Sequence, residues 1–142
     1  MFNLFGPFIF FTSYSSLALF FLRLVLGAAF IAHGYPKLFN SENRERFAGW
    51  LGSMGFRPGK FWALLVGIVE FFGGIFLVVG IFVQLVAALI CINMFVAMWK
   101  VKWGKVGFMA QGGWEIDLSY FVIALSLLVM GSGLWSLEAF WF

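Results

Sequence analysis

Two charged side chains lie inside stretches of sequence that are otherwise almost entirely apolar. Arg23 lies in the stretch 17–35, and Glu70 lies in the stretch 61–99. A charge at the centre of a membrane helix costs about 2.5–3.5 kcal/mol even on lenient insertion scales, so such residues usually face a partner or a cavity. Two interpretations explain these charges. They line a polar pocket that holds a headgroup or substrate, or they form an ion pair that fixes helix register.

The positions of Arg23 and Glu70 predict that they pair with each other. Arg23 lies about seven residues, and Glu70 about ten, from the ends of their predicted helices on the same outer side of the membrane. At 1.5 Å per residue, the backbones of the two residues therefore differ in depth by about 5 Å. Glycines on the same faces, Gly27 and Gly74 among them, would let the two helices approach closely. A proton relay through Glu70 is disfavoured, because a permanently charged Arg23 would hold its carboxylate ionised.

Further polar candidates lie near the other ends of the apolar stretches. His33 and Lys37 end the first stretch. Glu115 and Asp117 begin the last one, so all four are expected to meet at one membrane boundary. An imidazole there can bond a ligand oxygen, pass a proton, or serve as an interfacial anchor. Asn93 lies deep in the second half of the stretch 61–99. An interhelical hydrogen bond is its simplest role, and donation of a hydrogen bond to a ligand is the alternative.

Composition identifies the class of protein. The 142 residues are 63% apolar and 11% charged, with mean hydropathy +1.02, whereas soluble domains are about 45–50% apolar and 25% charged. The chain is therefore predicted to be an integral membrane protein with one domain. The net charge of +3 comes from short clusters beside apolar stretches, which argues against nucleic-acid binding. One histidine and one cysteine leave no basis for a metal centre or a dithiol pair.

The hydrophobic pattern predicts an all-α fold, a four-transmembrane-helix bundle with a short amphipathic surface helix between helices 1 and 2. Residues 1–16 are assigned to an N-terminal interfacial arm and 17–142 to a single transmembrane domain. Pro36 is expected to end the first helix, and Gly80 to form the turn that divides the long stretch 61–99. The four spans are expected at about 17–35, 61–79, 81–99 and 116–134.

The surface helix is predicted to begin with Ser41 as its cap and to end near Gly55. Its apolar side chains recur at helical spacing and form one stripe, consisting of Phe47, Trp50, Leu51 and Met54. A helix of this kind is expected to lie flat on the membrane surface.

Charge asymmetry predicts the orientation. Eight Lys and Arg residues lie in the connections 36–60 and 100–115, and the opposite side has none. By the positive-inside rule these basic loops are cytoplasmic and both termini lie outside. Residues 1–22 contain no Lys or Arg, so no cleaved leader is expected.

Four segments in order carry a family resemblance: RLVLGAAFIAHGYPKLF (23–39), EFFGGIFLVVGI (70–81), GGWEIDL (112–118) and GSGLWSLE (131–138). Together, over about residues 20–138, they resemble the DoxX family of small bacterial membrane proteins with four spans. The resemblance implies a multi-pass protein of the bacterial inner membrane, in which the outward termini predicted from the charges would be periplasmic. It also identifies matching positions, namely Arg23, Glu70, His33, Lys37 and Glu115. Relatives commonly have a histidine near 97–100, which reads Ala-Met-Trp-Lys here, and an aspartate in place of Glu138.

The family takes its name from membrane subunits of a thiosulfate:quinone oxidoreductase. The resemblance therefore implies a component of a quinone-linked oxidoreductase, with a quinone as ligand and no covalently bound cofactor. The expected quinone-binding residues are Arg23, Glu70, His33, Asn93, Lys37 and Glu115. Two alternatives remain open: a non-catalytic anchoring or assembly subunit that docks a soluble redox enzyme on 36–60, and a small proton-coupled transporter. The lipid bilayer is an expected partner, and further copies of the chain, in a homo-oligomer, are candidate partners.

Overall fold

The computed structural model describes residues 14–141, and every regular element among them is helical. The α-helices are α1 Ser15–Phe39, α2 Ser41–Ser53, α3 Gly59–Val79, α4 Val83–Val96, α5 Glu115–Met130 and α6 Glu138–Trp141. A π-helix, Ala97–Lys102, continues α4 directly. Residues 1–13 of the predicted N-terminal arm lie outside the described residues. The last two residues of the arm, Ser15 and Ser16, belong to α1.

Three helical segments are long and apolar enough to cross a membrane, namely Ser15–Phe39, Gly59–Val79 and Val83–Lys102. Their outward faces carry large exposed apolar side chains, including Phe21, Val25, Leu85 and Ile92. A surface of this kind is suited to lipid rather than to water. The chain is therefore a membrane protein.

The helix predicted at 116–134 is shorter than expected. α5 has 16 residues, or about 24 Å at 1.5 Å per residue, against a hydrocarbon thickness of about 30 Å. It ends at Gly131, whose φ of 80° and ψ of −162° leave helical geometry. The following segment, 131–138, turns back onto the end of the bundle.

Close packing of α1 against α3 confirms the predicted role of small residues. A side-chain carbon at Gly27 would lie 2.7 Å from the Gly74 carbonyl oxygen, and one at Gly74 would lie 2.6 Å from the Gly27 oxygen. The two backbones therefore touch, which only glycine permits. On the other side of the bundle α4 packs against α5. The core between them is built from residues such as Leu26, Phe30 and Leu127.

Gly80 forms the turn between α3 and α4, as predicted. Its φ of 81° and ψ of 47° are left-handed, a conformation that glycine adopts without strain. The 131–138 segment closes over this turn, because the Glu138 N–H donates to the Gly80 oxygen at 3.1 Å. The Glu138 carboxylate in turn accepts from the Val83 N–H at 3.1 Å and so caps the start of α4. We call this region the turn end of the protein.

Two predicted boundaries around the surface helix are wrong. α1 does not stop at Pro36 but continues through it to Phe39, since a proline removes only one helical hydrogen bond and neighbouring helices can hold the rest in place. The cap of α2 is Asn40, not Ser41. Its extended backbone ends α1, and its side chain accepts from the Asn43 N–H at 3.1 Å.

Candidate functional site

A cavity of about 480 Å³ lies at the end of the molecule opposite the turn end, between α1, α3, α4, α5 and the surface helix α2. This size falls within the range typical of small-molecule sites, about 300–1,000 Å³. Most of its wall is apolar. Its polar lining consists of His33, Lys37, Glu70, Asn93, Lys102, Glu115, Asp117 and Tyr120.

Glu70 is the most deeply buried charge in the cavity wall, with 4% of its surface exposed. Its Oε2 accepts from Lys37 Nζ at 2.6 Å, and its Oε1 accepts from Asn93 Nδ2 at 3.2 Å. These bonds join three helices, α1, α3 and α4. A buried carboxylate needs such partners because its desolvation is otherwise uncompensated. The interhelical hydrogen bond predicted for Asn93 is confirmed.

A second ion pair lies on the α5 side of the cavity. Lys102 Nζ lies 2.6 Å from Asp117 Oδ2 and donates to the Gly113 oxygen at 2.9 Å. Lys102 is the last residue of the π-helix Ala97–Lys102. The wider turn of a π-helix changes which residues face inward, and such turns are frequent at functional sites. Here it ends at a lysine that lines the cavity.

Glu115 differs from the other two cavity carboxylates in lacking an ion-pair partner. Its Oε2, like Asp117 Oδ2, is buried and receives no hydrogen bond from any of the described residues, but Asp117 Oδ2 has the Lys102 ammonium at 2.6 Å. The four ion pairs found among residues 14–141 do not include Glu115. Glu115 is therefore a carboxylate in the cavity wall without a matched cation.

Aromatic rings complete the site. The His33 ring packs edge-on against Tyr120, with the centroids 6.1 Å apart, and Tyr120 packs in the same way against Phe30 at 5.5 Å. The Lys37 ammonium lies 4.6 Å from the centre of the Phe47 ring, a cation–π distance. The imidazole and the phenol are thus held by ring packing beside the charged groups.

The surface helix α2 forms one wall of the cavity. Three of the four residues predicted to form its apolar stripe, Phe47, Trp50 and Leu51, line the cavity. Leu51 also belongs to a small core with Ala48 and Ala63. The stripe is therefore directed at the protein, and α2 covers the site.

Arg23 does not pair with Glu70, so that prediction is wrong. Its side chain is fully buried and donates to the Trp135 backbone oxygen in the segment that closes the turn end. Glu138 is the carboxylate that acts on it electrostatically. The reason is helix register. Because Gly27 faces Gly74 in an antiparallel pair, Arg23 and Glu70 differ in level by eight residues, about 12 Å, instead of the 5 Å expected.

The structure thus brings five of the six predicted site residues to one cavity and excludes Arg23. Asp117, which the sequence placed at the same boundary, also lines it. Lys102 and Tyr120 were missed. Tyr120 follows Asp117 by three residues, so helical periodicity would have found it. Lys102 depends on the π-helix, for which the sequence offers no signal.

Comparisons with known proteins point to one family. The sequence profile of the family described as DoxX matches residues 18–103. A relative from Bacillus subtilis (strain 168), named "Putative oxidoreductase CatD", is 28% identical over 121 residues, which cover 85% of this chain and 84% of the relative. No solved structure matches significantly. The matched region contains α1 to α4 and the π-helix almost completely. The chain is a member of the DoxX family.

Proposed function

We propose that this membrane protein is a component of a quinone-linked oxidoreductase and that its cavity holds a quinone headgroup. The observation that carries the proposal is the cavity itself, which combines a polar lining with a wide apolar wall. A quinone would supply two-electron redox chemistry that the protein side chains lack. The name of the Bacillus subtilis relative, an oxidoreductase, points in the same direction.

The lining residues fit such a ligand. A headgroup oxygen needs hydrogen-bond donors, and the His33 imidazole and the Tyr120 hydroxyl both line the cavity. The Lys37–Glu70–Asn93 network would fix the polar side of the site, since each member is held by the next. Trp50 and Trp62 also line the cavity and add aromatic surface to its wall.

An apolar tail would leave the cavity between α3 and α4. Leu65 and Leu89 line the cavity and are each about 40% exposed. They border a path from the headgroup site to the lipid. A lipid-soluble ligand could then enter from the bilayer without crossing water, which its tail would resist.

The proposed arrangement in the membrane has four spans, with α5 as the shorter fourth helix of the bundle. The cavity end carries the basic connections 36–60 and 100–115. It is therefore placed at the cytoplasmic side by the positive-inside rule, with the turn end and both termini on the periplasmic side. A soluble redox enzyme would reach the cavity from the cytoplasm, past α2.

The test is extraction of the detergent-purified protein and mass spectrometry of the extract, followed by titration with a short-chain benzoquinone. Val66 lines the cavity, so Val66→Trp should fill it and abolish binding. The matched control is Val129→Trp, at an outward position with 75% exposure. Binding that survives Val66→Trp, or is absent from the wild-type protein, would reject the quinone site. The remaining hypotheses would then be the anchoring subunit, with α2 as the docking surface, and the proton-coupled transporter.

A further inference from the structure

The charges that line the cavity do not balance. Among residues 14–141, two lysines and three carboxylates contribute to its wall, so with neutral His33 their net formal charge is −1. Lys37 is bonded to Glu70, and Lys102 is paired with Asp117. The remaining charge belongs to Glu115.

The surroundings of Glu115 make this imbalance costly. Its Oε2 is shielded from solvent and lacks a donor among the described residues. A buried acceptor without a donor loses about 1–3 kcal/mol, and a charged one loses more. A ligand that brings a hydroxyl hydrogen to the side of this carboxylate that lines the cavity partly offsets its unmatched charge, whereas a ligand that brings only carbonyl oxygens meets repulsion.

We infer that the cavity prefers the reduced, dihydroxy form of a quinone, a quinol, to the oxidised form, with Glu115 accepting a hydrogen bond from a quinol hydroxyl. This inference rests on the proposed function and adds to it which redox form the site retains. The His33 imidazole can bond a headgroup oxygen in either redox form, as donor or as acceptor, so it supports binding without setting the preference. Glu115 is accordingly a specificity-determining residue.

The other cavity carboxylates do not compete for this role. Both Glu70 oxygens already accept a hydrogen bond, one from Lys37 and one from Asn93. Asp117 Oδ2 also receives no hydrogen bond from the described residues, but the Lys102 ammonium at 2.6 Å matches its charge. Glu115 alone among the described cavity carboxylates has an unmatched negative charge, and charge-assisted hydrogen bonds are about twice as strong as neutral ones.

The experiment compares the two redox forms of one short-chain benzoquinone under anaerobic conditions. Binding to the full-length protein in detergent is followed by quenching of tryptophan fluorescence, because Trp50 and Trp62 line the cavity. The quinol is expected to bind about ten-fold or more tightly than the quinone, the scale of one hydrogen bond to a charged group. In Glu115→Gln the ratio should fall to about two-fold or less, with quinone binding retained.

Glu45→Gln is the matched control, because Glu45 pairs with Lys60 on the exposed surface. It should keep the wild-type ratio. Equal binding of both forms by the wild-type protein, or a preference that persists in Glu115→Gln, overturns the inference while leaving the quinone site intact. If neither form binds, the proposed function fails together with the inference. Where Glu115→Gln does not fold, the wild-type ratio still tests the preference, and equal binding of both forms overturns it.

Discussion

Replacing Lys37 with methionine is expected to destabilise the protein by about 3–5 kcal/mol, the usual cost of removing one partner from a buried ion pair. The Glu70 side chain is 5% exposed and the Lys37 side chain 22%, with 2.6 Å between Nζ and Oε2. Methionine keeps most of the apolar stem beside Phe47 and removes the ammonium. Glu70 then retains only the Asn93 amide as a donor.

A double-mutant cycle separates the charge from the packing. In Lys37→Met/Glu70→Gln neither member of the pair carries a charge, and the glutamine oxygen can still accept from Asn93. The double variant should therefore recover most of the loss, because neutral replacement of a buried pair costs little. Lys60→Met is the matched control. Lys60 pairs with Glu45, but their side chains are 77% and 59% exposed, so its effect should stay within about 1 kcal/mol.

The assay is reversible unfolding in mixed micelles, with a denaturing detergent as titrant and circular dichroism of the helices as the signal. Free energies of unfolding are compared for the wild type, both single variants, the double variant and the control. The reasoning is refuted if Lys37→Met costs no more than Lys60→Met, or if the double variant is as unstable as Lys37→Met alone.

Three further predictions concern packing and the turn end. Gly27→Leu should prevent α1 from approaching α3 at Gly74 and abolish the folded state, which size-exclusion chromatography in detergent would report; a monodisperse variant of normal stability would contradict the contact. Gly49→Ala should stabilise the protein by about 0.5–1 kcal/mol in the same unfolding assay, because no atom lies within 4 Å of the added carbon and alanine favours the helix. Arg23→Met should release the segment held at Trp135 and raise its hydrogen exchange, whereas unchanged protection of residues 131–138 would show that the guanidinium does not hold it.

Most of the fold followed from local features of the sequence. The apolar stretches predicted the positions of the helices, and Gly80 predicted the turn between α3 and α4, because hydrophobic periodicity and glycine conformation act over a few residues. The meeting of His33, Lys37 and Glu115 also followed, since residues that end or begin helices at one membrane boundary lie at similar depth. The DoxX membership was visible in the order of the motifs and is confirmed by the family profile.

Partners across helices did not follow from the sequence, and Arg23 is the clearest case. Its charge and depth were evident, but its partner depended on which residue of α3 faces Gly27. Backbone contact at Gly74 fixes that register. As a result, Arg23 lies at the turn end and Glu70 pairs with Lys37. The sequence by itself determined the membrane class, the helices and the polar residues of one end. Only the tertiary structure decided which charges pair and which carboxylate stays unmatched, because interhelical register depends on contacts between residues far apart in the chain.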